Sequence, residues 1–117
     1  MPTARPSSAP RWLALAALLA AAACAREQER RELAAAPRAI GMCASCHGPL
    51  GRSPQRGTPH LAAQDEDYLV ASMLQYRNGQ RPHAAMRAVM GALSEAEIRE
   101  LARFYATRPA CAGEGGG

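Results

Sequence analysis

The sequence predicts an all-α fold of three to five short helices. The clearest helix lies near the C-terminus, where Ser94 and Glu97 have the capping-box spacing, in which each side chain accepts a hydrogen bond from the other's backbone N–H. Apolar residues then recur at i, i+3, i+4 and i+7, the spacing of one buried helix face; they are Ile98, Leu101, Ala102 and Tyr105. No stretch alternates strictly between apolar and polar residues as a half-buried strand does.

A second helix is predicted from about Asp65 to Asn78. Acidic residues fill its first turn, where they complement the helix dipole. Leu69, Met73 and Tyr76 line one face, and Gly79 follows as a residue that accepts the left-handed conformation of a helix end.

A third helix is predicted from Pro37, at the first helical position, to Ala44. Residues 48–64 contain three glycines and three prolines and are predicted to be a loop. Residues 81–91 are expected to connect two helices.

Residues 43–47 read Cys43-Ala-Ser-Cys46-His47, which is the C-x-x-C-H attachment motif of c-type haem. Two cysteines three residues apart lie on one side of a helical turn, so each sulfur can form a thioether with a haem vinyl group. His47 follows directly and is expected to be the proximal iron ligand. Three alternatives are a zinc site, a thioredoxin-type redox pair and two unrelated thiols. No second C-x-x-C or H-x-x-x-H supplies more zinc ligands, and no βαβ pattern surrounds the motif.

The N-terminus has the pattern of an export signal. Arg5 and Arg11 precede an apolar run from Trp12 to Ala23, which is short for a transmembrane span. The run ends at Cys24, so two hypotheses remain open: cleavage that releases a soluble exported protein, or a lipoprotein signal in which Cys24 carries lipid. A retained membrane anchor is the third. Either way, we expect the protein in the periplasm or on the outer face of the cytoplasmic membrane.

The chain is therefore divided into four segments. They are an export signal (1–23), a charged linker or helix (24–36), a folded domain (37–109) and a disordered glycine-rich tail (110–117). A domain of about 73 residues buries little apolar surface, so a covalently held haem would supply much of its core. Loss of two arginines with the signal leaves 12 basic residues against 10 acidic ones, which gives no reason to expect nucleic-acid binding.

The distal iron ligand is expected to be Met86. It is predicted to lie in the connection ahead of the last helix, from which it can reach the distal haem face, and thioether ligation raises the reduction potential. Met90 is the rival, with core packing beside Leu93 as its alternative role. The remaining alternatives for the distal ligand are His60, His83 and an iron with an open distal position.

The second ring nitrogen of His47 is expected to donate to a backbone carbonyl, which fixes the orientation of the imidazole. Pro59 is the first candidate for that carbonyl. Arginine and tyrosine side chains are candidate partners for the haem propionates; they are Arg77, Arg81, Arg87, Tyr68 and Tyr76.

With these residues in place, residues 37–108 resemble the class I c-type cytochromes, and are most similar to short bacterial periplasmic carriers and to one half of dihaem relatives. The matching residues are Cys43 to Gly48, Pro59 to Ala62, Tyr68-Leu69, Met86 and Leu93 through Tyr105. The resemblance implies one haem c between His47 and Met86, with the first and last helices crossing. The family often has a glycine and an aromatic residue at that crossing, where this chain has Ala36, Ala39 and Ile40. Phe104 or Tyr105 is therefore expected to provide the large side chain that fills the crossing.

The sequence thus predicts a monohaem electron carrier that meets redox proteins transiently and is not an enzyme, because an iron ligated on both sides has no position for substrate. Two alternatives remain: a haem-based sensor or ligand-binding protein, and an electron-transfer subunit docked on a dehydrogenase.

Overall fold

The computed structural model describes residues 10–111, and this range contains five α-helices, one short 3₁₀ helix and no strand. The helices are α1 (Arg11–Ala34), α2 (Gly41–His47), α3 (Glu66–Arg77), α4 (Ala84–Gly91) and α5 (Glu95–Ala106), and the 3₁₀ helix (Arg38–Ile40) precedes α2. The prediction of an all-α fold is confirmed. Arg5 and residues 112–117 of the predicted tail lie outside the described residues.

The chain divides into two compact units, Met1–Arg31 and Glu32–Gly117. In the first unit, the apolar side chains of α1 are exposed, among them Trp12, Leu18 and Leu19. In the second half of α1, Arg31 forms an exposed ion pair with Glu27 at 3.1 Å. Among the described residues, no helix combines the length and the apolar character that crossing a bilayer requires.

In the second unit, α5 is the central element. The capping box is present as predicted: the Glu97 N–H donates to Ser94 Oγ at 3.2 Å, and the Ser94 N–H donates to Glu97 Oε2 at 2.8 Å. The four residues of the predicted apolar stripe are all 0% exposed. Burial of this stripe is the main reason that α5 is stable, because isolated helices of this length are marginal in water.

Helix α3 agrees with its prediction at both ends. The Tyr68 N–H donates to Asp65 Oδ1 at 2.8 Å, so Asp65 is the N-cap. Gly79 has φ +74°, and its N–H donates to the Tyr76 carbonyl at 3.2 Å. Leu69, Val70 and Met73 are buried, and Tyr76 packs against the core from its edge.

The prediction that residues 81–91 form only a connection is wrong, because eight of them form helix α4. The His83 side chain is the N-cap, with Nδ1 accepting from the Met86 N–H at 3.3 Å. Alanine, methionine and arginine fill most of the helix and all favour helical backbone. Met86, Val89 and Met90 have the i, i+3, i+4 spacing of one buried face, so the signal was present in a segment short enough to pass as a loop.

The helix that leads into the cysteine motif was also predicted with incorrect limits. Pro37 lies outside the helix with ψ 150°, the first turn is 3₁₀, and α2 runs to His47 rather than ending at Ala44. The whole C-x-x-C-H motif is therefore helical.

These helices enclose one core. Helix α3 packs against both α4 and α5, and the 3₁₀ helix packs against α2 and α5. Ala36, Ala39 and Ile40 are partly buried against a cluster that contains Phe104 and Tyr105. The 3₁₀ helix and α5 therefore pack together within one core.

Candidate haem site

Helix α2 presents two sulfurs and one imidazole. The Cys43 side chain is 5% exposed and that of His47 is 7% exposed, whereas Cys46 is exposed. Burial raises the pKa of the Cys43 thiol, an effect that interaction with the Tyr105 hydroxyl partly opposes. Cys43 is therefore a neutral thiol at neutral pH and faces the core, whereas the Cys46 side chain faces solvent.

Among residues 10–111, His47 is the single buried side chain of the histidine, acidic and basic residues. Its Nδ1 lies 2.9 Å from the Pro59 carbonyl oxygen, as predicted. Because a carbonyl oxygen can only accept, Nδ1 is the donor in this contact, and Nε2 is the ring nitrogen that remains available to a metal. This is the arrangement by which a second partner fixes a metal-ligating histidine.

Hydrogen bonds connect the loop that contains Pro59 to α2 and also join two parts of the loop to each other. The Gly51 carbonyl accepts from the N–H groups of Leu61, at 2.7 Å, and Ala62, at 3.1 Å. The Ser53 hydroxyl donates to the Cys46 carbonyl at 3.0 Å. The position of the Pro59 carbonyl, and with it the orientation of His47, is therefore set by hydrogen bonds on both sides of the loop.

The two methionine candidates differ in burial. Met90 is 1% exposed and belongs to the core beside Leu93, whereas Met86 is partly buried and packs against the core from its edge. The alternative histidines are exposed, and each uses Nδ1 to accept a backbone N–H: His60 from Ser53 at 2.8 Å and His83 from Met86 at 3.3 Å.

Among the candidate propionate partners, the structure brings three together. The Arg81 guanidinium carbon lies 4.9 Å from the centroid of the Tyr76 ring, and hydrogen bonding to Arg81 lowers the pKa of the Tyr68 hydroxyl. Arg77 and Arg87 are exposed. Arg87 also lines a cavity of about 590 Å³ beside α4, together with Arg81 and His83, and this cavity includes none of Cys43, Cys46, His47 and Met86.

These residues fit a covalently attached haem. Two sulfurs and a preoriented imidazole share one helix, and half-buried apolar side chains from the loop, α3 and α4 surround the core; they are Leu61, Leu74, Met86 and Val89. Within residues 10–111, no group of three histidine, cysteine or acidic side chains is placed to hold a metal ion.

One residue near these groups was predicted only as a core residue. The Tyr105 ring is 0% exposed, and its hydroxyl interacts with the Cys43 sulfur. The helical stripe predicted burial of Tyr105, but nothing in the sequence indicated which group its hydroxyl would meet.

Comparison with known proteins identifies the family. The chain is 36% identical over 72 residues to cytochrome c-554(548) of Halomonas halodenitrificans, a match that covers 59% of this chain and 87% of that protein. The chain belongs to the c-type cytochromes. The cofactor of such a cytochrome is covalently attached haem c, in agreement with the prediction from C-x-x-C-H. No protein-family model matches the chain.

Two longer relatives match over part of their length. Cytochrome c4 of Thiocapsa roseopersicina is 35% identical over 72 residues, which are 62% of this chain and 37% of that protein. The thiosulfate dehydrogenase electron acceptor of Thiomonas intermedia is 37% identical over 73 residues, 62% of this chain and 34% of that protein. The matched region thus spans about a third of each of these two cytochromes.

Proposed function

We propose that this cytochrome is a monohaem one-electron carrier. Cys43 and Cys46 attach the haem as thioethers, His47 is the proximal iron ligand and Met86 is the distal one. The contact between His47 Nδ1 and the Pro59 carbonyl is the observation that carries this assignment, because it orients the imidazole and leaves Nε2 for the iron.

Burial supports Met86 over Met90. The side chain that ligates the haem iron has to be accessible to the cofactor. Met86 lies on α4 at the edge of the core and meets this requirement. Met90 is enclosed by protein, so its thioether already has packing partners. His60 and His83 are less suited, because each is exposed and held by a local backbone hydrogen bond.

When bound, the haem supplies an iron couple that gains and loses one electron. The protein provides two axial ligands, keeps water from the buried imidazole and fixes its tautomer. With His47 and Met86 both holding the iron, no position on it would be left for substrate, so the protein would act as a carrier rather than as an enzyme. The chain has one C-x-x-C-H motif, which supports a single haem per chain.

Redox proteins are the proposed partners, met through small transient contacts. The relative from Thiomonas intermedia is named as an electron acceptor, which supports a redox enzyme as the electron donor.

Export is proposed for the N-terminal segment. The apolar side chains of residues 12–23 are exposed, as expected for a segment that is not part of the folded domain. Cleavage before Cys24 would release the carrier into the periplasm, and lipidation of Cys24 would hold it at the membrane. Mass spectrometry of the mature protein distinguishes these two products and reports the mass of one haem at the same time.

A matched pair of variants tests the axial assignment. Met86→Leu and Met90→Leu both replace a methionine by a side chain of similar volume, so both should preserve the packing. We expect Met86→Leu to abolish the long-wavelength absorption band of a methionine-ligated ferric haem and to lower the reduction potential. Met90→Leu should retain the band and a nearly unchanged potential.

The opposite pattern would assign the distal ligand to Met90. A wild-type ferric protein without the band, or a ferrous protein that binds carbon monoxide rapidly at neutral pH, would refute methionine ligation. The second result would favour a ligand-binding haem protein instead.

A further inference from the structure

The Tyr105 hydroxyl is a buried polar group without a hydrogen bond. Among residues 10–111 it is the single buried side-chain oxygen or nitrogen that has no hydrogen-bond partner. An unpaired hydroxyl in a protein core is costly, so a native structure is expected to give it a partner. The proposed function assigns no role to this group.

The group beside this hydroxyl is the Cys43 sulfur. Each of these two residues affects the pKa of the other. The pKa of the Tyr105 hydroxyl is raised mainly by burial and then by the neighbouring thiol, so the hydroxyl keeps its proton. The hydroxyl interacts electrostatically with the thiol but forms no hydrogen bond with it in this structure.

The Tyr105 ring cannot easily turn away from Cys43. A Cβ atom added to Gly51 would lie 2.7 Å from Tyr105 Cδ1, so the ring packs directly on the backbone of the loop. The Phe104 ring lies edge-on at 5.4 Å between centroids, and the Ala63 N–H donates to the Tyr105 carbonyl at 3.1 Å. The position of the ring is therefore fixed by contacts with the loop and with Phe104.

We propose that the Tyr105 hydroxyl donates a hydrogen bond to the Cys43 sulfur in the haem-bound protein and thereby raises the reduction potential. This inference rests on the haem attachment proposed above. When the thiol adds to a haem vinyl group, the S–H bond and the vinyl π bond break, while a C–S and a C–H bond form. The sulfur then has no proton of its own and can only accept.

The direction of the effect follows from charge. The donated O–H directs its positive end towards the sulfur and the attached ring. Oxidised haem carries one more positive charge than reduced haem, so this dipole disfavours the oxidised state. The effect is large enough to measure because the site is buried, where electrostatic interactions are weakly screened. Hydrogen bonds near a haem are among the means by which proteins set its potential.

The test is Tyr105→Phe, which removes the oxygen and keeps the ring. We expect the equilibrium constant for reduction to fall about threefold, which corresponds to about 30 mV at 59 mV per tenfold change for one electron. The same substitution in a Cys43→Ala background, where haem is attached through Cys46 alone, is the matched control. There the potential should be the same with tyrosine or phenylalanine at position 105.

An unchanged potential in Tyr105→Phe, or an equal fall in the Cys43→Ala background, would overturn the inference. If Cys43→Ala yields no holoprotein, resonance Raman spectra of the wild type and Tyr105→Phe decide. The C–S stretching band should shift in D₂O for the wild type and not for the variant, and an unshifted wild-type band would refute the hydrogen bond. A colourless wild-type protein would refute haem attachment itself, whereas a haem protein with an unmoved potential refutes this inference alone.

Discussion

Substitution of Gly51 by alanine should destabilise the haem domain through two separate effects. The backbone at Gly51 has φ +78°, a conformation that costs an L-residue about 1–2 kcal/mol. The added Cβ would also lie 2.7 Å from Tyr105 Cδ1 and 2.8 Å from the Ala62 nitrogen. Overpacking of this kind costs about 1–3 kcal/mol, so the total expected loss is about 2–5 kcal/mol.

Gly57→Ala is a matched control in the same loop. Gly57 has φ +82°, but a Cβ there would meet nothing within 4 Å. This variant therefore carries the conformational cost of about 1–2 kcal/mol without the steric cost. Alanine also restricts the unfolded chain at both positions, and that effect cancels in the comparison. The steric contribution is the difference between the two variants, about 1–3 kcal/mol.

Denaturant unfolding of the oxidised holoprotein, followed by haem absorbance and by circular dichroism, measures this difference. In a domain of this size, 1 kcal/mol corresponds to about 4–8 °C in Tm, so thermal scans should separate the two variants clearly. Equal loss of stability in Gly51→Ala and Gly57→Ala would show that the loop does not pack on Tyr105 as described.

Three further predictions concern α5. Ser94→Ala should lower the free energy of unfolding by about 1 kcal/mol, because it removes the N-cap oxygen. Hydrogen bonds from Ser94 lower the pKa of Glu97 in the folded protein. The stabilisation from the Glu97 carboxylate is therefore complete above the pKa of the unfolded chain, near 4.5, and is lost as the pH falls through the lower pKa of the folded protein. In denaturant titrations, the stability difference between the wild type and Glu97→Gln should shrink below pH 4.5. Leu101→Ala should lower the free energy of unfolding by about 2–5 kcal/mol, because it leaves a cavity at a side chain that is 0% exposed. Leu33→Ala, at an exposed position, should change the unfolding midpoint little. Similar midpoints for the two variants would contradict the assigned core.

Local signals predicted α3 and α5 well. Both helices begin with a side chain that accepts a backbone N–H, Asp65 in one and Ser94 in the other, and both bury a face with helical spacing. Such information is contained within a few consecutive residues. Helix α4 was missed because its N-cap is His83, a residue that the usual capping preferences do not include, and because eight residues between a proline and a glycine also suit a loop.

The candidate site was predictable in its chemistry but only partly in its contacts. C-x-x-C-H indicated haem, and the need to orient a histidine predicted a carbonyl partner, for which Pro59 was chosen from the loop prolines. The contact between Tyr105 and Cys43 joins residues about 60 positions apart. It depends on how α5 packs against the 3₁₀ helix that precedes α2, which local periodicity does not specify.

The contacts of Tyr105 bear on both the stability of the domain and its reduction potential, and Tyr105→Phe and Gly51→Ala should affect these two properties differently. Its ring packs on Gly51, its carbonyl accepts from Ala63, and its hydroxyl meets the Cys43 sulfur. Tyr105→Phe keeps the first two contacts, so it should act mainly on the potential. Gly51→Ala pushes the ring and should act mainly on stability. If Gly51→Ala also lowers the potential, and does so no further when Tyr105→Phe is added, then the ring displacement acts through the same hydroxyl and sulfur. Additive shifts would instead mean that the loop affects the haem by another route, such as the Pro59 carbonyl and His47.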